Sequence, residues 1–98
     1  MSDRTQAAAA PGVMRVLVVT PERTLYEGGA TAVVAPAYDG LVGILPRHAP
    51  FLSLLGTGAL VVRSPEGDRH FTVSGGFLQV VDNVVRLVAE QAEPAAAA

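Results

Sequence analysis

The segment Arg69–Ala89 reads RHFTVSGGFLQVVDNVVRLVA and combines strand patterns with turn residues. Polar and apolar residues alternate in its first part, which is typical of a strand with one buried face. Gly75-Gly76 marks a bend or bulge, and Asp82-Asn83 is a two-residue turn. The strands predicted within this stretch are therefore Arg69–Ser74, Phe77–Val81 and Val84–Ala89.

The rest of the chain repeats this arrangement of short apolar runs between turn residues. Ser64-Pro65-Glu66-Gly67-Asp68 is a strong hairpin signal, and no segment of useful length has helical periodicity. The fold class predicted is all-β, an antiparallel sandwich or barrel of nine or ten short strands, because parallel crossovers need about a dozen residues each. The further strands predicted are Met14–Val19, Thr24–Glu27, Ala30–Ala35, Leu41–Leu45, Phe51–Leu55 and Ala59–Arg63.

Length and composition exclude several classes of protein. The chain has 98 residues, 50% of them hydrophobic and 16% charged, which allows one small domain and argues against intrinsic disorder. We expect residues 1–12 to form a disordered N-terminal tail, 13–91 the β-sandwich and 92–98 a C-terminal tail, since Pro94 breaks regular structure. The longest run without charge or histidine, Ala49–Val62, is shorter than the roughly 20 residues of a membrane-spanning helix.

Charge and cysteine content narrow the possible partners. Seven arginines, no lysine and nine acids give a formal net charge of −2. This composition offers neither the basic patch that nucleic acid favours nor the clustered cations that anionic lipid favours. The absence of cysteine excludes disulfides and thiolate metal sites and fits a reducing compartment. The apolar run Ala7–Ala10 is too short for a signal peptide, so we do not expect secretion.

A search for catalytic, metal and cofactor sites yields no motif. The two histidines, His48 and His70, stand far apart in sequence, and there is no G-x-S-x-G elbow, no H-x-x-x-H spacing and no phosphate-binding loop. We therefore expect no catalytic residue, no metal and no cofactor. The five aromatic residues are Tyr26, Tyr38, Phe51, Phe71 and Phe77. Most of them are predicted to lie in the core.

The unusual segment is Gly43–Leu52, an apolar run that leads into a stiff loop with two prolines. Arg47 and His48 lie at the tip of this loop. One interpretation is a connection between sheets, whose prolines reduce the entropy of the unfolded chain. The other is a pre-shaped docking surface, since a rigid loop loses less entropy on binding. The residues alone leave both interpretations open.

Two motifs together resemble a known family. Gly43–Pro50, which reads GILPRHAP, precedes Val73–Val80, which reads VSGGFLQV, and this pair resembles the epsilon subunit of F-type ATP synthases. Shorter segments resemble the same family in the same order, and the resemblance covers Val13 to about Glu93. These segments are Val18–Arg23, Tyr26–Gly28 and Asn83–Glu90.

The resemblance implies a ten-stranded β-sandwich with no catalytic activity of its own. In the family this domain lies at the foot of the central stalk, binds the gamma subunit and the c ring, and rotates with them. It thereby couples proton- or sodium-driven rotation to ATP synthesis, at the cytoplasmic face of the bacterial inner membrane. The residues implied for the gamma interface are Pro46, Arg47, His48 and Ala49. Those implied for the c-ring interface are Tyr38, Asp39, Gly40, Leu41 and Val42.

This sequence departs from the family pattern at three points. Arg47 stands where members often have glycine, and Leu41 stands where bacterial members often have an acid. The family usually continues into a C-terminal helical hairpin, whereas this sequence ends in Pro94 and a run of alanine. We therefore expect neither hairpin-based inhibition of ATP hydrolysis nor ATP sensing. The alternative function is that of a stand-alone β-sandwich that binds a small ligand or a peptide.

Overall fold

The computed structural model describes residues 12–95, so the N-terminal tail predicted over residues 1–12 lies almost entirely outside the described residues. The described part of the chain is all-β, as predicted, with eight strands and no helix. The strands are β1 (Met14–Val19), β2 (Thr24–Ala30), β3 (Ala32–Ala37), β4 (Gly40–Ile44), β5 (Phe51–Leu54), β6 (Thr57–Arg63), β7 (Arg69–Val81) and β8 (Val84–Pro94).

The two strands predicted on either side of Gly75-Gly76 are one long bent strand, β7. Both glycines have positive φ, 73° and 104°, which lets the chain turn without ending the strand. The buried side chains change across the bend from odd positions, Phe71 and Val73, to even positions, Leu78 and Val80. One strand therefore contributes to two layers of the fold.

The neighbours of β7 bend along the same line. β8 pairs with β7 in one antiparallel register on both sides of the bend, from Phe71 opposite Pro94 to Val81 opposite Val84. On the other side, β5 pairs with the second half of β7 and β6 pairs with the first half. Gly56, which lies between β5 and β6, is hydrogen-bonded to the bend. The Gly75 N–H donates to the Gly56 carbonyl at 3.4 Å, and the Leu55 N–H donates to the Gly76 carbonyl at 3.0 Å.

These pairings define the two layers of a β-sandwich. The first layer consists of β2, β1, the first half of β8, the second half of β7, and β5. The second layer consists of the second half of β8, the first half of β7, β6, β3 and β4. The strand count is thus eight rather than ten, because β7 and β8 each supply a segment to both layers.

The prediction of a wholly antiparallel fold is wrong for one pair of strands. β1 and β8 are parallel, in register from Arg15 opposite Val84 to Val19 opposite Val88. The length argument against parallel pairs concerned crossovers between successive strands. It does not apply here, because β1 and β8 are the first and last strands and all the others lie between them in the chain.

The last strand is longer than predicted. β8 continues past Ala89 to Pro94, beyond the boundary expected at residue 91. Ala92 is buried, and the Ala95 N–H donates to the His70 carbonyl at 2.8 Å. Pro94 fits in the strand because the pairing with β1 stops at Val88, so that the second half of β8 is an edge, where proline is tolerated.

A single hydrophobic core fills the space between the layers, and none of its members within residues 12–95 is polar. The largest fully buried side chains come from both layers, which shows that the two are packed against each other. Among them are Met14, Ile44, Leu60, Leu78 and Leu87.

We predict that Gly76→Ala strongly destabilises the domain. A Cβ on Gly76 would overlap the Val88 carbonyl and lie 2.9 Å from the Ala89 Cα, and alanine disfavours the positive φ at this position. The expected loss is about 3 kcal/mol or more, or a fall in Tm of more than about 12 °C, measured by thermal and urea unfolding.

Gly43→Ala in β4 is the matched control for this substitution. Its added Cβ meets no atom within 4 Å, so the free energy of unfolding should change by no more than about 0.5 kcal/mol. Equal effects of the two substitutions would show that the bend does not depend on glycine.

Candidate interaction surfaces

The first layer carries exposed apolar side chains on its outer side. Leu52 and Leu54 of β5 are 68% and 62% exposed. Phe77, the partner of Leu54 across the strands, is 42% exposed, and Val81 of the same strand is 40% exposed. We call these four residues the outer face. Three of them line an apolar depression of about 570 Å³, whose full lining is Leu52, Ser53, Leu54, Phe77 and Gln79.

The apolar surface continues across the first layer. Phe77 lies opposite Val88, and Val88 lies opposite Val19 of β1, so one apolar row crosses four strands from Leu54 onward. Both valines are only partly buried. A contiguous exposed apolar surface of this kind marks an interaction site in a soluble protein.

The aromatic residues only partly follow the prediction that most belong to the core. Phe71 is buried, and Tyr26 and Phe51 pack against the core from its margin. Phe77 lies on the outer face, and Tyr38 is the most exposed large hydrophobic side chain of the described residues, at 76%. The sequence pattern placed Phe77 in a strand but could not show which side of that strand faces the core.

The proline loop, residues 46–50, connects β4 to β5 and is rigidly held. The His48 N–H donates to the Leu45 carbonyl at 3.1 Å, which closes a turn. The His48 ring packs edge-on against Phe51 with the ring centroids 5.6 Å apart. Arg47 has a φ of 70°, and its N–H donates to the Asn83 side-chain oxygen at 2.8 Å. The loop is therefore fixed to the first layer beside Val81.

Asn83 joins three segments of the chain. It lies with Asp82 in the tight β7–β8 turn, where both residues have positive φ, as a type I′ hairpin turn requires. Its side-chain N–H donates to the Val13 carbonyl at 3.0 Å, and its own carbonyl accepts from the Arg15 N–H at 3.0 Å. The sequence predicted only the turn, because links between distant segments leave no local signal.

The residues predicted to face the c ring form the β3–β4 hairpin tip, residues 38–42. Tyr38 and Leu41 are 76% and 74% exposed, while Val42 packs against the core. The Tyr38 N–H donates to the Leu54 carbonyl at 2.8 Å, which ties the hairpin tip to the outer face. The hairpin tip lies at the start of β4 and the proline loop at its end, so the tip and the loop are separated by the length of that strand, while the outer face adjoins both.

The two histidines lie in different layers of the sandwich. His70 pairs with Val61 in the second layer, whereas His48 contacts Phe51 of the first. The Nδ1 atom of His48 lies 2.7 Å from the carbonyl oxygen of its neighbour Ala49. Among residues 12–95 no group of three or more His, Cys, Asp or Glu side chains is arranged to hold a metal ion.

Fold and surface together define a β-sandwich with exposed apolar surface at the end of a rigid loop, the features of an interaction domain. Residues 13–95 match the family described as ATP synthase, Delta/Epsilon chain, beta-sandwich domain, and the chain belongs to that family. No helix within the described residues has the length and hydropathy needed to cross a membrane.

Two relatives illustrate the similarity. The ATP synthase epsilon chain of Solibacter usitatus is 45% identical over 85 residues, which cover 87% of this chain and 63% of the relative. The epsilon chain of Leptospira borgpetersenii is 40% identical over 77 residues, which cover 79% and 61%. The chain thus spans about three fifths of the length of these relatives.

Solved structures support the fold. A chain of the Euglena gracilis mitochondrial ATP synthase, solved as an assembly of OSCP, F1 and c-ring, superposes with a TM-score of 0.79 at 24% identity, over 88% of this chain and 56% of that one. A chain of the Tetrahymena thermophila mitochondrial ATP synthase, solved as its central stalk and c-ring, gives a TM-score of 0.67 at 22% identity, over 82% and 65%.

We predict that Arg47→Gly stabilises the isolated domain. The φ of 70° at this position disfavours residues with a Cβ by about 1–2 kcal/mol, and the greater freedom of glycine in the unfolded chain offsets part of the gain. The net increase expected in the free energy of unfolding is about 0.5–1 kcal/mol, measured by urea unfolding. Arg47→Ala is the control, since it removes the charge but keeps the Cβ, and it should change stability by less than about 0.5 kcal/mol.

We also predict that Asn83→Ala is more damaging than Asp82→Ala. Both residues have positive φ in the same turn, but only Asn83 bonds to the proline loop and to Val13. Loss of these bonds should destabilise by about 2 kcal/mol, against about 1 kcal/mol or less for Asp82→Ala. Equal losses in thermal unfolding would mean that the side-chain bonds of Asn83 contribute nothing.

Proposed function

We propose that the chain is a non-catalytic rotor subunit in the central stalk of an F-type ATP synthase. It binds the gamma subunit on one surface and the c ring on another, and so couples ion-driven rotation to ATP synthesis. The observation that carries the proposal is the exposed apolar outer face beside a rigid loop, in a chain that belongs to the Delta/Epsilon family.

The gamma-binding surface consists of the outer face and the proline loop, including Pro46, Arg47, His48 and Ala49. Leu52, Leu54 and Phe77 supply the apolar area whose removal from water drives association. The loop is held by its bond to Asn83 and by the ring contact between His48 and Phe51. Because these contacts already exist in the free chain, little entropy is lost when the loop binds.

The c-ring-binding surface is the hairpin tip, with Tyr38, Asp39, Gly40 and Leu41 at the front and Val42 behind them. Its position at the opposite end of β4 from the proline loop lets the chain contact two partners at once. Leu41 is largely exposed where bacterial members often have an acid, so the contact with the ring relies on apolar area from Tyr38 and Leu41 and on the carboxylate of Asp39.

The name of the relatives, ATP synthase epsilon chain, supports this assignment. The chain would be held at the cytoplasmic face of the bacterial inner membrane through its partners. The apolar depression beside Leu52 and Phe77 favours a second candidate function, a stand-alone domain that binds an apolar ligand or peptide.

We predict that Leu54→Ser and Phe77→Ser each weaken binding to the gamma subunit from the same organism by about 10-fold, because each removes apolar area from the interface. Tyr38→Ser and Leu41→Ser should leave gamma binding unchanged and weaken retention of the chain on purified c ring. Titration by biolayer interferometry measures the first effect, and co-sedimentation with c-ring vesicles measures the second.

The two pairs of variants act as controls for each other, since all four replace exposed apolar residues with serine. If every variant weakened binding to gamma and to the c ring equally, the assignment of different surfaces to the two partners would be wrong. Failure of the wild-type chain to bind gamma would contradict the rotor function and favour the stand-alone binding domain.

A further inference from the structure

We infer that the partner surface that covers the outer face is acidic, and that Arg47 and Arg86 form ion pairs with its carboxylates. This inference rests on the proposed function and identifies the chemistry of the gamma surface. Three observations support it: the backbone conformation of Arg47, the position of Arg86, and the distribution of charge over the chain.

Arg47 occupies a backbone conformation that its side chain does not favour. Its φ of 70° is one that glycine adopts freely. The bond that holds this residue in place comes from its backbone N–H to Asn83, so glycine would make the same bond. Within residues 12–95 the guanidinium forms no salt bridge. A non-glycine residue held in such a conformation points to a role outside folding.

Arg86 lies in the middle of the outer side of the first layer. Its neighbours across the strands are Gln79 on one side and Leu17 on the other. It forms no salt bridge within residues 12–95, whereas Arg15 on the same side of the layer pairs with Glu27 at 3.0 Å. A partner that covers the outer face would also cover Arg86, and an unpaired arginine is costly to remove from water. A carboxylate on the partner offsets much of that cost, whereas an apolar partner surface offsets none of it.

The charge of the first layer differs in sign from that of the whole chain. The chain has a formal charge of −2. The outer side of this layer, together with the end of the layer near Asn83, instead has an excess of positive charge. Its acids are Glu27 and Asp82, and its arginines are Arg15, Arg47 and Arg86. Asp82 forms no salt bridge with any of them. The other described acids belong to turns, to the hairpin tip or to the second half of β8, namely Glu22, Asp39, Glu66, Asp68, Glu90 and Glu93. An excess of cations on one face favours an acidic partner.

The experiment is a titration of the gamma subunit with variants of the full chain at two salt concentrations. Arg47→Gly, Arg47→Ala and Arg86→Gln should each weaken binding about 3- to 10-fold at low salt, with a smaller effect at high salt. Arg47→Lys should retain most of the affinity. Arg63→Gln is the control, since it removes an exposed arginine of the second layer that pairs with Asp68, and it should change the affinity less than 2-fold.

Comparison of Arg47→Gly with Arg47→Ala separates the effect of the lost charge on binding from the effect of the relaxed backbone on stability. Arg47→Gly should bind gamma more weakly although it unfolds at a higher temperature, and Arg47→Ala should weaken binding equally without that rise. Wild-type affinity in the Arg47 and Arg86 variants would overturn the inference and leave the rotor function standing. Absence of binding by the wild-type chain would overturn both.

Discussion

The fold depends on the close approach of Gly76 to the backbone of Val88 and Ala89, which leaves no room for a Cβ. Because β7 and β8 are paired on both sides of the bend, one strand cannot bend without the other. The third member of the bend is Gly56, to which Gly75 is hydrogen-bonded. The strands therefore bend at one common position across the sheet, which divides the sheet into two layers with the core between them.

The bend also determines which surface remains for partners. Folding the sheet on itself buries the inner sides of both layers and turns the remaining side of each strand toward solvent. On the first layer that side is apolar from Leu54 through Phe77 to Val88, so its area can leave water only by association. The proline loop and the hairpin tip adjoin this surface through bonds to Asn83 and Leu54. The same sheet thus positions all the proposed contacts.

Much of the fold could be predicted from the sequence, because turns and alternation are local signals. The β1 strand, the bend at Gly75-Gly76 and the Asp82-Asn83 turn all have residue types that favour or permit those conformations. The parallel pair of β1 with β8 and the continuation of β7 through its bend depend on tertiary pairing, which local pattern does not encode. For the same reason the exposure of Phe77 could not be predicted, because an apolar residue on the exposed side of a strand has the same local pattern as one in the core.

In the proposed function, stability and binding make opposite demands on one residue of the proline loop. Its backbone requires a positive φ at position 47, which glycine would satisfy without strain. The Asn83 side chain and the turn bond from His48 to Leu45 maintain that conformation with arginine in place. The rest of the sandwich, with a fully apolar core in the described residues, supplies enough stability to tolerate the strain. A small domain can thus hold an arginine in an unfavourable backbone conformation at its rim, and in the proposed function the charge acts once the partner is bound.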